Sequence, residues 1–125
     1  MQRPLRSNRT ASGRAAEDTA AAHLQGTGVS VIERNWRCKT GELDLIAKEG
    51  DVLVFVEVRS RTAPSRYGTA VEAVTPRKCR QVRETAGVYL KMTGAYGSPV
   101  RFDVIAVTFA ADGSVAELRH IPGAF

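Results

Sequence analysis

Polar and apolar residues follow three rhythms along this chain, and each rhythm predicts an element. From about Arg14 to Gln25, alanines and Leu24 recur at helical spacing, and Gly26-Thr27-Gly28 stops the run. Val29 to Arg34 reads as a strand, followed by a basic connector, Asn35 to Thr40. Glu42 to Ala47 and Val52 to Arg59 form an apolar pair around the polar turn Lys48-Glu49-Gly50-Asp51, which predicts a hairpin. Ser60 to Gly68, with Pro64 inside it, is too polar and interrupted for a regular strand. Thr75-Pro76 supplies a hydroxyl cap and a proline at the first helical position. The helix they open runs to about Met92, with Cys79, Val82, Ala86, Tyr89 and Leu90 as its apolar stripe, and ends near Gly94. Val100 to Phe109 is a further strand, interrupted by Asp103, and Ala111-Asp112-Gly113 turns the chain into Ser114 to Ile121. Helix, three strands, helix and two strands predict an α/β domain of three layers, with a mixed, largely buried central sheet flanked by helices.

The hairpin carries the chemistry. Side chains alternate along a strand, so Glu42 and Asp44 share a face, as do Phe55, Glu57 and Arg59. A two-residue loop at Gly50-Asp51 sets Asp44 opposite Glu57, whereas a turn at Glu49-Gly50 sets Asp44 opposite Phe55. Both registers leave the two carboxylates on one face. Opposed β-carbons lie about 5 Å apart, and like charges there need a compensating cation. Val52 to Val56 is apolar on both faces, as in a central strand covered from both sides. Charges at the end of such a strand must be paired, hydrogen-bonded or bound to metal. A divalent cation between Asp44 and Glu57 satisfies that requirement, and so does pairing of Glu57 with Arg59 or Arg61.

Glu17 precedes Ala20, Ala21 and Leu24 by three, four and seven positions, which places it on the packing stripe of the first helix. It is a candidate third member of the carboxylate cluster, or an edge residue paired with Arg14. Arg61 and Arg66 lie just beyond the hairpin, and Arg77, Lys78, Arg80 and Arg83 crowd the first half of the second helix. Cations gain nothing from the helix dipole there, so their concentration favours an anionic partner.

Composition narrows the picture further. A chain of 125 residues makes one domain, with residues 1–12 read as a flexible basic arm and 13–125 as the folded unit. Net charge is +5, from 18 Lys and Arg against 13 Asp and Glu, and arginine supplies most of it. Arginine suits bidentate phosphate contacts, so nucleic acid is the expected partner. Cys38 and Cys79 stand apart without flanking histidines, and His23 and His120 are too sparse for a predicted zinc site. No segment has the length of a membrane span and none has a signal core, so the expectation is a cytoplasmic protein with no membrane partner.

Glu17, Arg34-Asn35-Trp36-Arg37, Gly41-Glu42-Leu43-Asp44-Leu45-Ile46-Ala47 and Phe55-Val56-Glu57-Val58-Arg59-Ser60-Arg61 together resemble the YraN family of uncharacterised bacterial proteins. Lys78, Tyr89-Leu90, Arg101-Phe102-Asp103-Val104 and the terminal Ala124-Phe125 extend the resemblance. That family is similar to the restriction-endonuclease-like PD-(D/E)xK nucleases, in particular archaeal Holliday-junction resolvases. The resemblance implies a three-layer endonuclease-like fold and Mg²⁺ or Mn²⁺ held by Asp44 and Glu57 with help from Glu17. It also implies action on DNA, including branched DNA, and a homodimer. One departure stands out: where the superfamily pattern has lysine two residues after the second acid, this chain has Arg59. A guanidinium stabilises charge but is a poor base. A non-catalytic nucleic-acid-binding module that keeps the nuclease fold is therefore the alternative. In either case Arg61, Arg66, Arg77, Lys78 and Arg80 would grip phosphates.

Overall fold

The computed structural model describes residues 10–63, 74–95 and 97–125. Helix α1 (Ala11–Gly26) is followed by strands β1 (Ser30–Cys38), β2 (Gly41–Glu49) and β3 (Val52–Thr62). Helix α2 (Pro76–Thr93) then leads to β4 (Val100–Phe109) and β5 (Val115–Ile121). The five strands lie in sequence order, antiparallel throughout except for the parallel pair β3–β4. A parallel pair needs a long crossover, and α2 lies within that connection.

Each helix covers one face of the sheet. Ala16, Ala20, Ala21 and Leu24 of α1 pack with Leu45, Ala47, Val54, Val56, Ile105 and Val107. Val82, Ala86 and Tyr89 of α2 pack with Leu43, Ile46, Leu53, Phe55 and Phe102 on the other side. β3 is the middle strand and is buried from Leu53 through Glu57, as its unbroken apolar run requires. The arrangement is a three-layer α/β domain with a mixed central sheet flanked by helices, as expected.

Three elements extend by three or more residues beyond the expected limits. α1 begins at Ala11 rather than Arg14, because the Thr10 hydroxyl accepts the Gly13 N–H at 3.1 Å and caps the helix early. β1 continues through the basic stretch to Cys38, since Trp36, Arg37 and Cys38 pair with Leu43, Glu42 and Gly41. β3 continues through Ser60, Arg61 and Thr62, which pair with Val107, Thr108 and Phe109. Tertiary pairing overrides local polarity in both strands. Arg66, with the rest of the polar stretch from Pro64 to Gly68, and most of the basic arm lie outside the described residues.

The short link between β1 and β2 is fixed against α2. Gln81 Nε2 donates to the Thr40 carbonyl at 3.0 Å, and the Thr40 and Thr85 hydroxyls lie 2.9 Å apart. Gly41 sits beneath this contact with φ +151°, and a β-carbon there would stand 3.0 Å from Gln81 Nε2 and 3.2 Å from Thr85 Oγ1. Gly41→Ala is thus expected to cost about 1–3 kcal/mol, read as a lower urea midpoint at unchanged m-value.

Candidate active site

The turn between β2 and β3 takes the first of the two registers considered. Glu49 pairs with Val52, Ile46 with Phe55 and Leu45 with Val56. Continuing that register sets Asp44 opposite Glu57. Regular pairing stops at Leu45 and Val56, and beyond it the Asp44 side chain replaces the ladder: its Oδ2 accepts the Val58 N–H at 2.9 Å. Alternation also breaks here, since Leu43 and Ile46 pack on the α2 side while Leu45 and Ala47 pack on the α1 side. Simple alternation therefore does not carry through β2 at this point, and Glu42 stands 3.4 Å from Arg37 Nε.

Asp44 and Glu57 are 8% and 4% exposed. Two cations reach the same oxygen of Glu57: Arg59 Nη1 at 3.5 Å and Lys78 Nζ at 3.7 Å. Arg59 comes from two residues along β3, whereas Lys78 projects from the first turns of α2. Burial above all, and then the Asp44 carboxylate, push the Glu57 carboxyl up to about 8 despite these cations. A hydrogen bond between the two carboxyl groups acts in the same direction. At neutral pH the pair accordingly holds a proton, as two carboxylates confined to one dry site must.

Glu17 is 1% exposed but belongs to α1, in the opposite helical layer. Its Oε1 accepts a hydrogen bond from Asn35 Nδ2 at 2.8 Å and lies 3.8 Å from Arg34 Nη2. Arg34 also donates to Asp18 at 2.6 Å. Among the described residues no three Asp, Glu, His or Cys side chains form a metal-holding group, so Glu17 does not complete one with Asp44 and Glu57. Asn35 is the residue that sequence reasoning missed. It adopts a left-handed backbone (φ 54°) within β1, between the pairs Arg34–Leu45 and Trp36–Leu43, and so connects Glu17 to the strand beside Asp44. Asparagine tolerates that conformation better than most residues, which is the one local signal it offered.

Of the expected phosphate-gripping residues, Arg61 is half-buried on β3 beyond Arg59, and Arg77 and Arg80 are exposed on α2. Arg77 and Arg80 line a cavity of about 640 Å³ with Thr40, Gln81 and Glu84, beside the turn of α2 that carries Lys78. Trp36 is half-buried and packs edge-on against Tyr89, with ring centroids 5.2 Å apart.

Residues 16–107 match the model of "Uncharacterised protein family UPF0102". The chain belongs to this family. A UPF0102 protein of Pelotomaculum thermopropionicum is 50% identical over 113 residues, covering 90% of this chain and 93% of the relative. One from Frankia casuarinae is 46% identical over 115 residues, covering 92% and 96%. Among solved structures, "The structure of Pyrococcus Furiosus SfsA in complex with Ca2+" is similar with a TM-score of 0.39 at 14% identity. The match covers 90% of this chain and 63% of the SfsA chain, less than two thirds of its length. Glu17, Asp44, Glu57, Arg59 and Lys78 all lie within the UPF0102 match, and His120 lies beyond it.

The donor set fits a hard divalent cation. Mg²⁺ is commonly held by one or two carboxylates, with water and substrate phosphate completing its shell, and Asp44 with Glu57 supplies that minimum. A cation there would offset both the burial and the Asp44 repulsion that raise the Glu57 carboxyl.

Glu57 makes stability depend on pH. Below about 4.5, its ordinary value, the carboxyl is protonated in folded and unfolded chains alike. Between 4.5 and about 8 the folded chain keeps a proton that the unfolded chain gives up, so rising pH weakens the fold across that window. In buffer without divalent cations the melting temperature of Glu57→Gln is expected to fall less than that of wild type over the same range. Equal slopes in the two proteins would contradict the raised value.

Proposed function

We propose that this UPF0102 protein is a cytoplasmic, metal-dependent endonuclease acting on DNA, including branched or otherwise irregular DNA, and that it cuts as a homodimer. The observation that carries this reading is the buried Asp44–Glu57 pair with Arg59 and Lys78 converging on it. Asp44 and Glu57 would hold Mg²⁺ or Mn²⁺, with Glu17 acting through the layer of Asn35 rather than as a direct ligand. When bound, that ion would acidify a water and polarise a phosphate oxygen.

The remaining work falls to the chain's own groups. Hydrolysis joins a water oxygen to phosphorus, breaks the bond to one ester oxygen, and moves one proton from the water towards that leaving oxygen. Arg59 remains protonated throughout and is suited to holding a phosphate oxygen. Lys78 carries an amine that can exchange its proton, and its 3.7 Å approach to Glu57 puts such an amine beside the acids despite Arg59 at the lysine position. Arg61, Arg77 and Arg80 would hold flanking phosphates, which fixes the backbone without reading bases.

A second reading is a DNA-binding module without catalysis. It is favoured by the cations already standing on Glu57, which give the carboxylate partners in the absence of metal. Cleavage and binding assays on linear, flapped and four-way-junction DNA separate the two. On the nuclease reading, Asp44→Asn and Glu57→Gln abolish Mg²⁺-dependent cutting while DNA is still bound. Lys78→Ala slows cutting by about 100-fold or more. Binding without cutting by wild type on every substrate would leave only the module. Each of Arg77→Ala and Arg80→Ala is expected to weaken binding and reduce the salt-dependence slope by about one.

A further inference from the structure

A second polar cluster lies on the β4–β5 side of the sheet, built by residues that the carboxylate pair does not use. Asp103, on β4, is fully buried. Arg101 grips it through Nε at 2.8 Å and Nη2 at 3.0 Å, and the Gly123 N–H donates to it at 3.0 Å. Its Oδ2 lies 2.8 Å from His120 Nε2. Burial opposes ionisation of Asp103, but Arg101, His120 and Gly123 together hold its carboxyl below the usual range.

This fixes the chemistry of His120. A carboxylate without a proton can only accept, so His120 Nε2 carries the hydrogen, and in the neutral ring Nδ1 keeps a lone pair. That lone pair faces His23 Nε2, on the last turn of α1, at 3.2 Å, with the two rings at 83° to one another. Two nitrogens bound to one tetrahedral Zn²⁺, each 2.0–2.1 Å from it, stand about 3.3 Å apart. A histidine whose far nitrogen is held by a buried carboxylate is also the common form of a zinc-ligating imidazole.

We infer that His23 Nε2 and His120 Nδ1 form a site for a Zn²⁺-class cation, with Asp103 as the outer partner that orients His120 and with water completing the shell. With both rings neutral in the metal-free protein, His23 Nε2–H donates to His120 Nδ1. On binding, that hydrogen leaves Nε2, His23 takes the tautomer protonated at Nδ1, and a small rotation of the rings turns both lone pairs to the ion. Both side chains are half-buried, so an ion has access from solvent. Two protein ligands make this an exchangeable site rather than a closed structural one. Its nitrogen donors distinguish it from the all-oxygen Asp44–Glu57 pair.

The test is titration of the full ¹⁵N-labelled chain with Zn²⁺, reading the imidazole nitrogens by long-range correlation spectra and the affinity by calorimetry. One equivalent is expected to shift His23 Nε2 and His120 Nδ1 saturably. The same response is expected in the Asp44→Asn, Glu57→Gln double variant. His23→Ala, which alters a half-buried side chain in the last helical turn, is expected to bind at least about tenfold more weakly while keeping its circular dichroism spectrum. Unmoved imidazole signals at one equivalent, or equal affinity in folded His23→Ala, would overturn the site and leave the pair as a hydrogen-bonded link between α1 and β5.

Discussion

From Leu53 to Val56, β3 has no face turned to water, and the other elements are placed to keep it so. A strand enclosed in this way needs neighbours along both edges and a helix above and below, which gives two antiparallel strands on one side, two more strands on the other, and α1 and α2 as the outer layers. Its polar residues are confined to its end. The acidic site is therefore where a buried strand has to place its first charge. Glu57 sits at the boundary, close enough to the core to resist ionisation and close enough to Arg59 and Lys78 to be held.

The site combines two opposing demands. Low dielectric strengthens every electrostatic contact inside it, and the same dryness penalises a second negative charge beside Asp44. A proton on Glu57 relieves this in the free protein. A divalent cation would relieve it as well, and would leave both carboxylates ionised. On the nuclease reading the pair exchanges one form of relief for the other, and the two basic side chains keep the pocket ready for a phosphate in both states.

Much of this was legible in the sequence because it depends on local rules. The polar turn around Gly50 marked the hairpin and left two registers open, Thr75-Pro76 and Gly94 set the limits of α2, and the double-sided apolar run named the central strand. The rest depended on distant partners. Ser60 to Thr62 look like loop residues until Val107 to Phe109 are beside them. Asn35 has no helical or strand periodicity to reveal that it bonds Glu17 across layers. Lys78 was visible as one cation among several on α2, and only the crossover selects it for Glu57. His23 and His120 are 97 positions apart, and nothing in their spacing shows that they meet.

The parallel pairing of β3 with β4 also divides the contacts of the site into local and distant ones. Asp44 and Glu57 belong to a hairpin closed by a tight turn, a contact that forms on the microsecond scale. Lys78 joins them only when the crossover has docked and Leu53 has found Val100, a non-local pairing of the kind that slows folding. The two acids are thus joined through a local contact and the amine through a non-local one, so the site is whole only in a chain whose β3–β4 pairing is in place.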